Sequence, residues 1–124
     1  MKLGLTKRLE KVLSENNIKY TIYDKTVVNP TTKNVAEAMD LFLSNNCNAI
    51  IGFGGGSSMD CAKAVGAKIA KPKQSLAKMK GILKVHKRIP LLIAVPTTAG
   101  TGSETTLAAV ITDAETRHKY AIND

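Results

Sequence analysis

The stretch from Ala49 to Asp60 combines the residue types with which proteins bind anionic groups. Its sequence, AIIGFGGGSSMD, is an apolar run that ends in three consecutive glycines and continues directly into a helical pattern. Ser57 stands where a helix N-cap is expected, and Asp60 completes an S-x-x-D capping box. Glycines let a phosphate come close to the backbone, and the unpaired N–H groups at a helix N-terminus carry a partial positive charge. The stretch therefore predicts an anion site on a strand–turn–helix unit.

Two better-known phosphate loops do not match this stretch. No lysine follows the last glycine, so it is not the G-x-x-x-x-G-K-[ST] loop of ATP-hydrolysing proteins. The spacing of the G-x-G-x-x-G dinucleotide fingerprint is absent as well. Taken alone, G-G-G-S is as compatible with a tight structural turn as with a nucleotide site.

A second loop of small and hydroxyl-bearing residues follows another apolar run. Residues 89–96 (IPLLIAVP) predict a strand that is buried on both faces, and residues 97–104 (TTAGTGSE) predict a loop. Parallel strands of one sheet end at the same edge, so the two loops would border one crevice. Open α/β sheets bind their ligands in such a crevice.

The periodicity of the rest of the chain predicts helices and strands in alternation. Helices are predicted around residues 5–13, 31–45 and 57–71, with Thr31 or Thr32 as the N-cap of the second, and strands around 19–23 and 50–53. Residues 73–88 predict a short helix and a surface loop, and residues 107–122 predict a hairpin. This order favours an α/β fold, a Rossmann-like open parallel sheet with helices on both faces and a C-terminal β-hairpin.

Composition limits the classes of protein to consider. With 124 residues, 44% of them apolar, the chain forms one small domain or part of a larger one. No apolar run reaches membrane-spanning length, and Cys47 and Cys61 are too far apart for a C-x-x-C motif, so we expect a cytoplasmic protein with reduced thiols.

The net charge is +8, and half of the basic residues lie between Lys63 and Arg88. No aromatic residue lies among them to stack on bases, which favours a solvated face over a nucleic-acid surface.

The two loops together resemble a known family. G-G-G-S-x-x-D at 54–60, P-T-T-A-G-T-G-S-E at 96–104 and V-I-T-D at 110–113 are similar to the iron-containing (group III) alcohol dehydrogenases, as is the N-P-T turn at 29–31. The resemblance extends over essentially the whole chain. It implies a partial dinucleotide-binding domain, residues 1–124, of an NAD-dependent and metal-dependent oxidoreductase, in which hydride passes between the nicotinamide and a small alcohol or aldehyde.

The resemblance also implies which residues contact the cofactor. The first loop would hold the pyrophosphate, the threonines of the second loop would line the nicotinamide, an acid after the strand at 19–23 would hold the adenosine ribose, and a hairpin lysine would approach the cofactor. These roles fall on Gly55, Gly56, Ser57, Asp60, Thr97, Thr98, Thr101, Asp24 and Lys119. Asp24 would favour NAD over NADP, although the residues alone favour an ordinary polar turn. Ala108 replaces an asparagine that is frequent in the family.

Other parts of the family pattern lie outside this sequence. Family members begin with an apolar strand before the first helix, and a later helical domain carries an aspartate and three histidines that bind iron or zinc. His86 and His118 match none of these ligands, so we expect no catalytic and no metal-binding residue in this chain. The missing strand predicts an unpaired sheet edge, marginal stability and self-association. For the full-length enzyme the resemblance implies a homo-oligomer without nucleic-acid or membrane partners.

Two alternatives remain open. The glycerol dehydrogenase and dehydroquinate synthase group has a similar glycine loop, although the T-T-A-G-T-G-S-E loop argues against it. The chain could also be a stand-alone nucleotide- or phosphate-binding module, or an inactive remnant of a dehydrogenase.

Overall fold

The computed structural model describes residues 4–82 and 84–124, and residues 1–3 and 83 of the predicted domain lie outside that description. The helices are α1 (Lys7–Glu15), α2 (Thr32–Ser44), α3 (Gly56–Ala70) and a short 3-10 helix (Leu76–Met79). The strands are β1 (Ala49–Gly54), β2 (Gly81–Ile82), β3 (Leu91–Pro96), β4 (Ala108–Thr112) and β5 (Lys119–Asn123). Within the described residues no helix is both long and apolar enough to cross a membrane.

The strands form two separate sheets. β1 and β3 pair in parallel, with Ala49 opposite Leu91 and Gly54 opposite Pro96. β4 and β5 form an antiparallel hairpin, and β2 adds to the free edge of β5 in parallel. The predicted α/β class, with a parallel sheet, helices and a C-terminal hairpin, is confirmed. The strand β2 was not expected, because two residues are too few to produce a period in the sequence.

Helix α3 is the central element of the core, because it packs against β1, β3, β4 and α2. Its buried face consists mainly of small side chains, which let the neighbouring elements approach its axis closely. The buried residues of α3 are Met59, Cys61, Ala62, Ala64, Val65, Gly66 and Ala67. Val35 of α2 and Ile111 of β4 belong to the same core and are fully buried. Cys61 is thus buried, while Cys47 is half-buried, and both thiols are free.

The N-terminus of α2 carries the predicted cap. Thr31 is the N-cap residue, and it forms a capping box with Asn34, in which each side chain accepts a hydrogen bond from the other residue's N–H group. Asn34 also donates to Tyr23 Oη and to the carbonyl of Lys25. Tyr23 in turn donates to Glu37 at 2.7 Å, and burial together with this carboxylate raises the pKa of Tyr23 to about 12. Residues 23–25 are therefore bound to α2.

The predicted strand at residues 19–23 is wrong. These residues are not assigned to a strand and pair with no described strand, and a cleft of about 1030 Å³ lies between them and β1. Residues of α1, α2 and α3 also line the cleft. The alternating pattern indicates two faces of an extended chain, but a strand also needs a neighbouring backbone for its hydrogen bonds. Among the described strands, β1 is paired only with β3, so one of its edges faces the cleft.

Strand β3 forms as predicted, but its expected burial on both faces is wrong. Leu91 is 65% exposed and Ile93 is 46% exposed, whereas Leu92 between them and Ala94 after them are half-buried. Successive side chains of a strand point to opposite faces, and among the described elements α3 packs on the pair. A continuous apolar run indicates that both faces can be covered, but it does not supply the second layer.

Candidate functional site

The turn between β1 and α3 requires glycine at its first position. Gly54 has a φ of +140°, in the region that residues with a side chain rarely adopt. A Cβ atom added to Gly54 would also lie 2.6 Å from Ser58 Oγ, which is closer than any ordinary contact. The chain therefore turns from the strand into the helix within two residues.

The predicted capping box of Ser57 and Asp60 is wrong. The N-cap of α3 is Gly55, in an extended conformation, so Ser57 lies in the first helical turn. The helix starts earlier than predicted because Gly54 completes the turn at once. Ser57 Oγ instead accepts a hydrogen bond from the N–H group of Asn29 at 3.3 Å, which ties the N-P-T turn to this site.

Asp60 is directed toward the hairpin. Its carboxyl group is half-buried, and burial raises its pKa. The backbone N–H of Val110 and the charge of Lys63 act in the opposite direction and favour the ionised form. Asp60 therefore links α3 to β4 and does not cap its own helix.

The first turn of α3 offers hydrogen-bond donors without acceptors. Gly55 has no side chain to cap the helix, and within the described part of the chain no group accepts from the N–H groups of Gly56, Ser57 or Ser58. The first intrahelical bond runs from Met59 N–H to Gly55 O at 3.1 Å. Three free N–H groups at the positive end of a 15-residue helix form a site suited to an anion.

The second loop lies directly against this turn. The N–H group of Thr97 donates to Gly54 O at 2.8 Å. A Cβ atom added to Gly55 would lie 3.0 Å from Thr98 Oγ1, and one added to Gly56 would lie 3.1 Å from Ser103 Oγ and 3.8 Å from Thr101 Cβ. The structure thus brings together the predicted residues of both loops. The missing side chains at positions 55 and 56 leave the space that the second loop occupies.

Two of the predicted residues lie on other parts of the chain. Asp24 lines a separate cleft of about 340 Å³ with Lys25, Glu37 and Leu41, and no residue of the glycine turn lines that cleft. Lys119 is the first residue of β5, opposite Thr112, and its side chain is exposed.

The sequence did not single out three residues of the site. Asn29 and Ser103 contact the glycine turn, and Lys63 binds the segment that follows the second loop. Ser103 and Asn29 belong to motifs that were recognised, but nothing in their spacing indicated these contacts. Lys63 lies three residues after Asp60, on the same face of α3, which is the signal that could have separated it from the other lysines.

The described residues contain no group of three or more His, Cys, Asp or Glu that could hold a metal ion. His86 and His118 are both exposed, as expected for surface residues. What the arrangement can do chemically is bind an anionic group at the N-terminus of α3, with threonine and serine hydroxyls next to it.

Comparisons with known proteins find similar sequences among dehydrogenases. Residues 1–124 match the sequence profile of a family described as iron-containing alcohol dehydrogenase. The chain is 38% identical over 121 residues to the NAD-dependent methanol dehydrogenase of Bacillus methanolicus, a match that covers 98% of this chain and 32% of that protein.

Solved structures are similar over the same range. The alcohol dehydrogenase from Oenococcus oeni matches with a TM-score of 0.90 and 36% identity, over 98% of this chain and 32% of that one. Sulfoacetaldehyde reductase from Bifidobacterium kashiwanohense, solved in complex with NAD+, matches with a TM-score of 0.81 and 31% identity, over 99% of this chain and 32% of that one. The chain spans about a third of the length of these relatives.

A valine at Gly55 or at Gly56 should remove the anion site. In Gly55→Val and Gly56→Val the new side chain meets Thr98 or Ser103 and displaces the second loop, so pyrophosphate affinity should fall at least about tenfold. The measurement is a pyrophosphate titration followed by the amide NMR shifts of Ser57 and Ser58. Ala36→Val, a change to the same side chain at an exposed position of α2, is the control. Wild-type affinity in folded Gly55→Val and Gly56→Val proteins would contradict the assignment.

Proposed function

The chain belongs to the iron-containing alcohol dehydrogenase family, as its two loops implied, and from this premise we propose that it forms the dinucleotide-binding part of an NAD-dependent, metal-dependent alcohol dehydrogenase. Residues 1–124 would be a partial cofactor domain. The substrate would be a small alcohol or aldehyde, because the relatives include a methanol dehydrogenase, an alcohol dehydrogenase and a sulfoacetaldehyde reductase.

One observation carries this proposal. The two loops follow paired parallel strands, and they meet at the N-terminus of α3, where three N–H groups have no acceptor among the described residues. A dinucleotide needs a pyrophosphate site next to a nicotinamide site, and two adjoining loops at one sheet edge supply two such neighbouring surfaces. A site for a single phosphate would need only the glycine turn.

The residues present fit the cofactor. Gly55, Gly56 and Ser57 would hold the pyrophosphate through their backbone N–H groups, because those of Gly56 and Ser57 have no acceptor among the described residues. Thr97, Thr98 and Thr101 would line the nicotinamide side. When bound, NAD supplies the hydride chemistry, and the protein supplies orientation.

The remaining assignments rest on the resemblance. Asp24 would accept hydrogen bonds from the adenosine ribose, and Lys119 would approach the cofactor from the hairpin. Asp60 would act through its link to β4 and not through contact with the phosphate. A divalent metal ion, iron or zinc, would polarise the alcohol oxygen in the complete enzyme, held by residues other than those described in this chain.

The basic stretch, residues 63–88, does not require a nucleic-acid partner. Several of its lysines donate to backbone carbonyl groups of the chain itself: Lys63 to Thr106 O at 3.0 Å, Lys68 to Gln74 O at 2.7 Å and Lys71 to Lys84 O at 2.7 Å. Part of the net charge of +8 is therefore used to hold loops. The proposal includes no nucleic-acid and no membrane partner.

A phosphate-binding module is the second candidate, because the free N–H groups of α3 suit any phosphate. A titration of the ¹⁵N-labelled chain with NAD, AMP and inorganic phosphate separates the two candidates. The proposal predicts that NAD shifts the amides of both loops, whereas phosphate shifts only Gly56, Ser57 and Ser58. Equal affinity for NAD and phosphate, with no shift at Thr98 or Thr101, would favour the module. No binding of any of the three would favour an inactive remnant.

Nucleotide choice should depend on Asp24. A carboxylate beside the ribose disfavours the 2′-phosphate of NADP, so Asp24→Gly should lower the ratio of the NADP to the NAD dissociation constant by about tenfold. Both constants are measured by the same titration. Asp40→Ala removes one carboxylate from an exposed position of α2 and should leave the ratio unchanged. An unchanged ratio in Asp24→Gly would mean that Asp24 is only a turn residue.

The chain of 124 residues should not oxidise alcohols by itself. Oxidation in this family depends on a metal ion that stabilises the alkoxide, and the described residues offer no ligand cluster for one. The measurement is NADH absorbance after addition of NAD, ferrous or zinc ions and small primary alcohols. Turnover that survives repurification and is lost in Gly56→Val would overturn this prediction.

A further inference from the structure

Lys63 makes contacts that set it apart from the other lysines of the basic stretch. It lies two turns into α3, and its ammonium group donates to Thr106 O and Thr106 Oγ1, both at 3.0 Å, and to Ala108 O at 3.2 Å. It also donates to the carbonyl of Ser103. All of these acceptors belong to the segment Ser103–Ala108, which joins the second loop to β4.

In the described residues the other hydrogen bonds of this segment are mostly local, apart from the pairing of Ala108 with Asn123 of β5. Its own turns are local: Thr105 bonds Gly102 O through both its N–H and its hydroxyl group, and Thr106 Oγ1 donates to Ser103 O. The N–H of Asp124 donates to Leu107 O at 3.3 Å. In the described residues Lys63 is the side chain of α3 that binds the segment through several hydrogen bonds.

The surroundings of the Lys63 ammonium group suit a contact with several backbone carbonyl groups. Lys63 is half-buried, and burial lowers its pKa, while the charges of Asp60 and Glu104 favour the protonated form. An ammonium group has three donors and no acceptor, so it can satisfy several carbonyl groups that point at one place. The donors of an ammonium group can rotate toward such acceptors, whereas those of the arginine guanidinium lie in a fixed plane.

Ser103 connects this contact with the glycine turn. Its carbonyl accepts from Lys63, and its hydroxyl fills the space above Gly56. Any movement of the segment therefore moves the surface that faces the N-terminus of α3. We propose that Lys63 is a positioning residue, which holds the second loop against the glycine turn in the arrangement that accepts the dinucleotide. The inference rests on the proposed function for its ligand, but the hold on the segment can be measured without any ligand.

The chain contains a matched control. Lys68 lies on the same helix and also donates to two backbone carbonyls, Pro72 O and Gln74 O, but at the end of α3 that faces away from the two loops. Lys63→Met and Lys68→Met therefore remove the same charge and the same kind of contact. A general loss of stability would affect both variants, whereas a positioning role would affect only the first.

The first measurement needs no ligand. ¹⁵N order parameters of Ser103–Ala108 should fall from about 0.85 toward 0.6 in Lys63→Met and stay unchanged in Lys68→Met. The second measurement is the NAD titration, in which Lys63→Met should raise the dissociation constant about tenfold. The tenfold difference in NAD dissociation constant between Lys63→Met and the wild type should persist at an ionic strength of 1 M, where the screening length is about 3 Å. A displaced loop is not restored by salt.

The possible failures are distinguishable. No amide shift with NAD in the wild-type chain would count against the proposed function. Unchanged order parameters, unchanged NAD affinity, or a loss of affinity that disappears at high salt in Lys63→Met would overturn the positioning role. If Lys63→Met does not fold, Lys63→Gln, which keeps amide donors on a shorter side chain, is compared with Lys68→Gln in the same way.

Discussion

The parallel pairing of β1 with β3 is the constraint on which the rest of the site depends. The pairing continues beyond the last strand residues, because Thr97 N–H donates to Gly54 O. Both strands must therefore end at the same edge, and the two loops have to leave the sheet side by side. A strand between β1 and β3 would move the loops apart by a further strand spacing, about 4.8 Å, and an antiparallel pairing would put them at opposite edges of the sheet.

The glycines of the first loop have a double role. Gly54 is required by its backbone conformation, whereas the absence of a Cβ at Gly55 and Gly56 makes room for Thr98 and Ser103. The glycine loop is thus a packing surface for the second loop before it is a surface for a phosphate. An anion at the N-terminus of α3 would meet threonine and serine hydroxyls as well as backbone N–H groups, and both kinds of group can donate to it.

Two charged side chains of α3 help to hold the second loop beside the glycine turn. Asp60 and Lys63, one turn apart on α3, both bind the backbone of the chain between Ser103 and Val110. The carboxylate faces an N–H group and the ammonium faces carbonyl groups, so each charge is matched to the dipoles that stabilise it. Two side chains of one helix therefore hold the connection between the second loop and the hairpin.

Much of this could be predicted, because it depends on neighbours in the sequence. The helical period of α1, α2 and α3, the cap at Thr31, the glycine turn, the hydroxyl-rich loop and the hairpin are all local patterns, and their order indicated the α/β class. The wrong predictions concern which elements pair with or cover a strand. Residues 19–23 alternate like a strand, but no described strand pairs with them. Residues 91–96 are apolar like a fully buried strand, yet Leu91 and Ile93 are exposed.

The sequence by itself thus determined the residue types of the site and their order along the chain, and through the two loops it also indicated the family. Only the tertiary structure decided which groups meet: Ser57 with Asn29, and Lys63 with Ser103–Ala108. The physical reason is that a local pattern reflects backbone preferences within a few residues. A contact across 28 or 43 positions depends on how strands pair and how a helix packs between them, and no short window of the sequence contains that information.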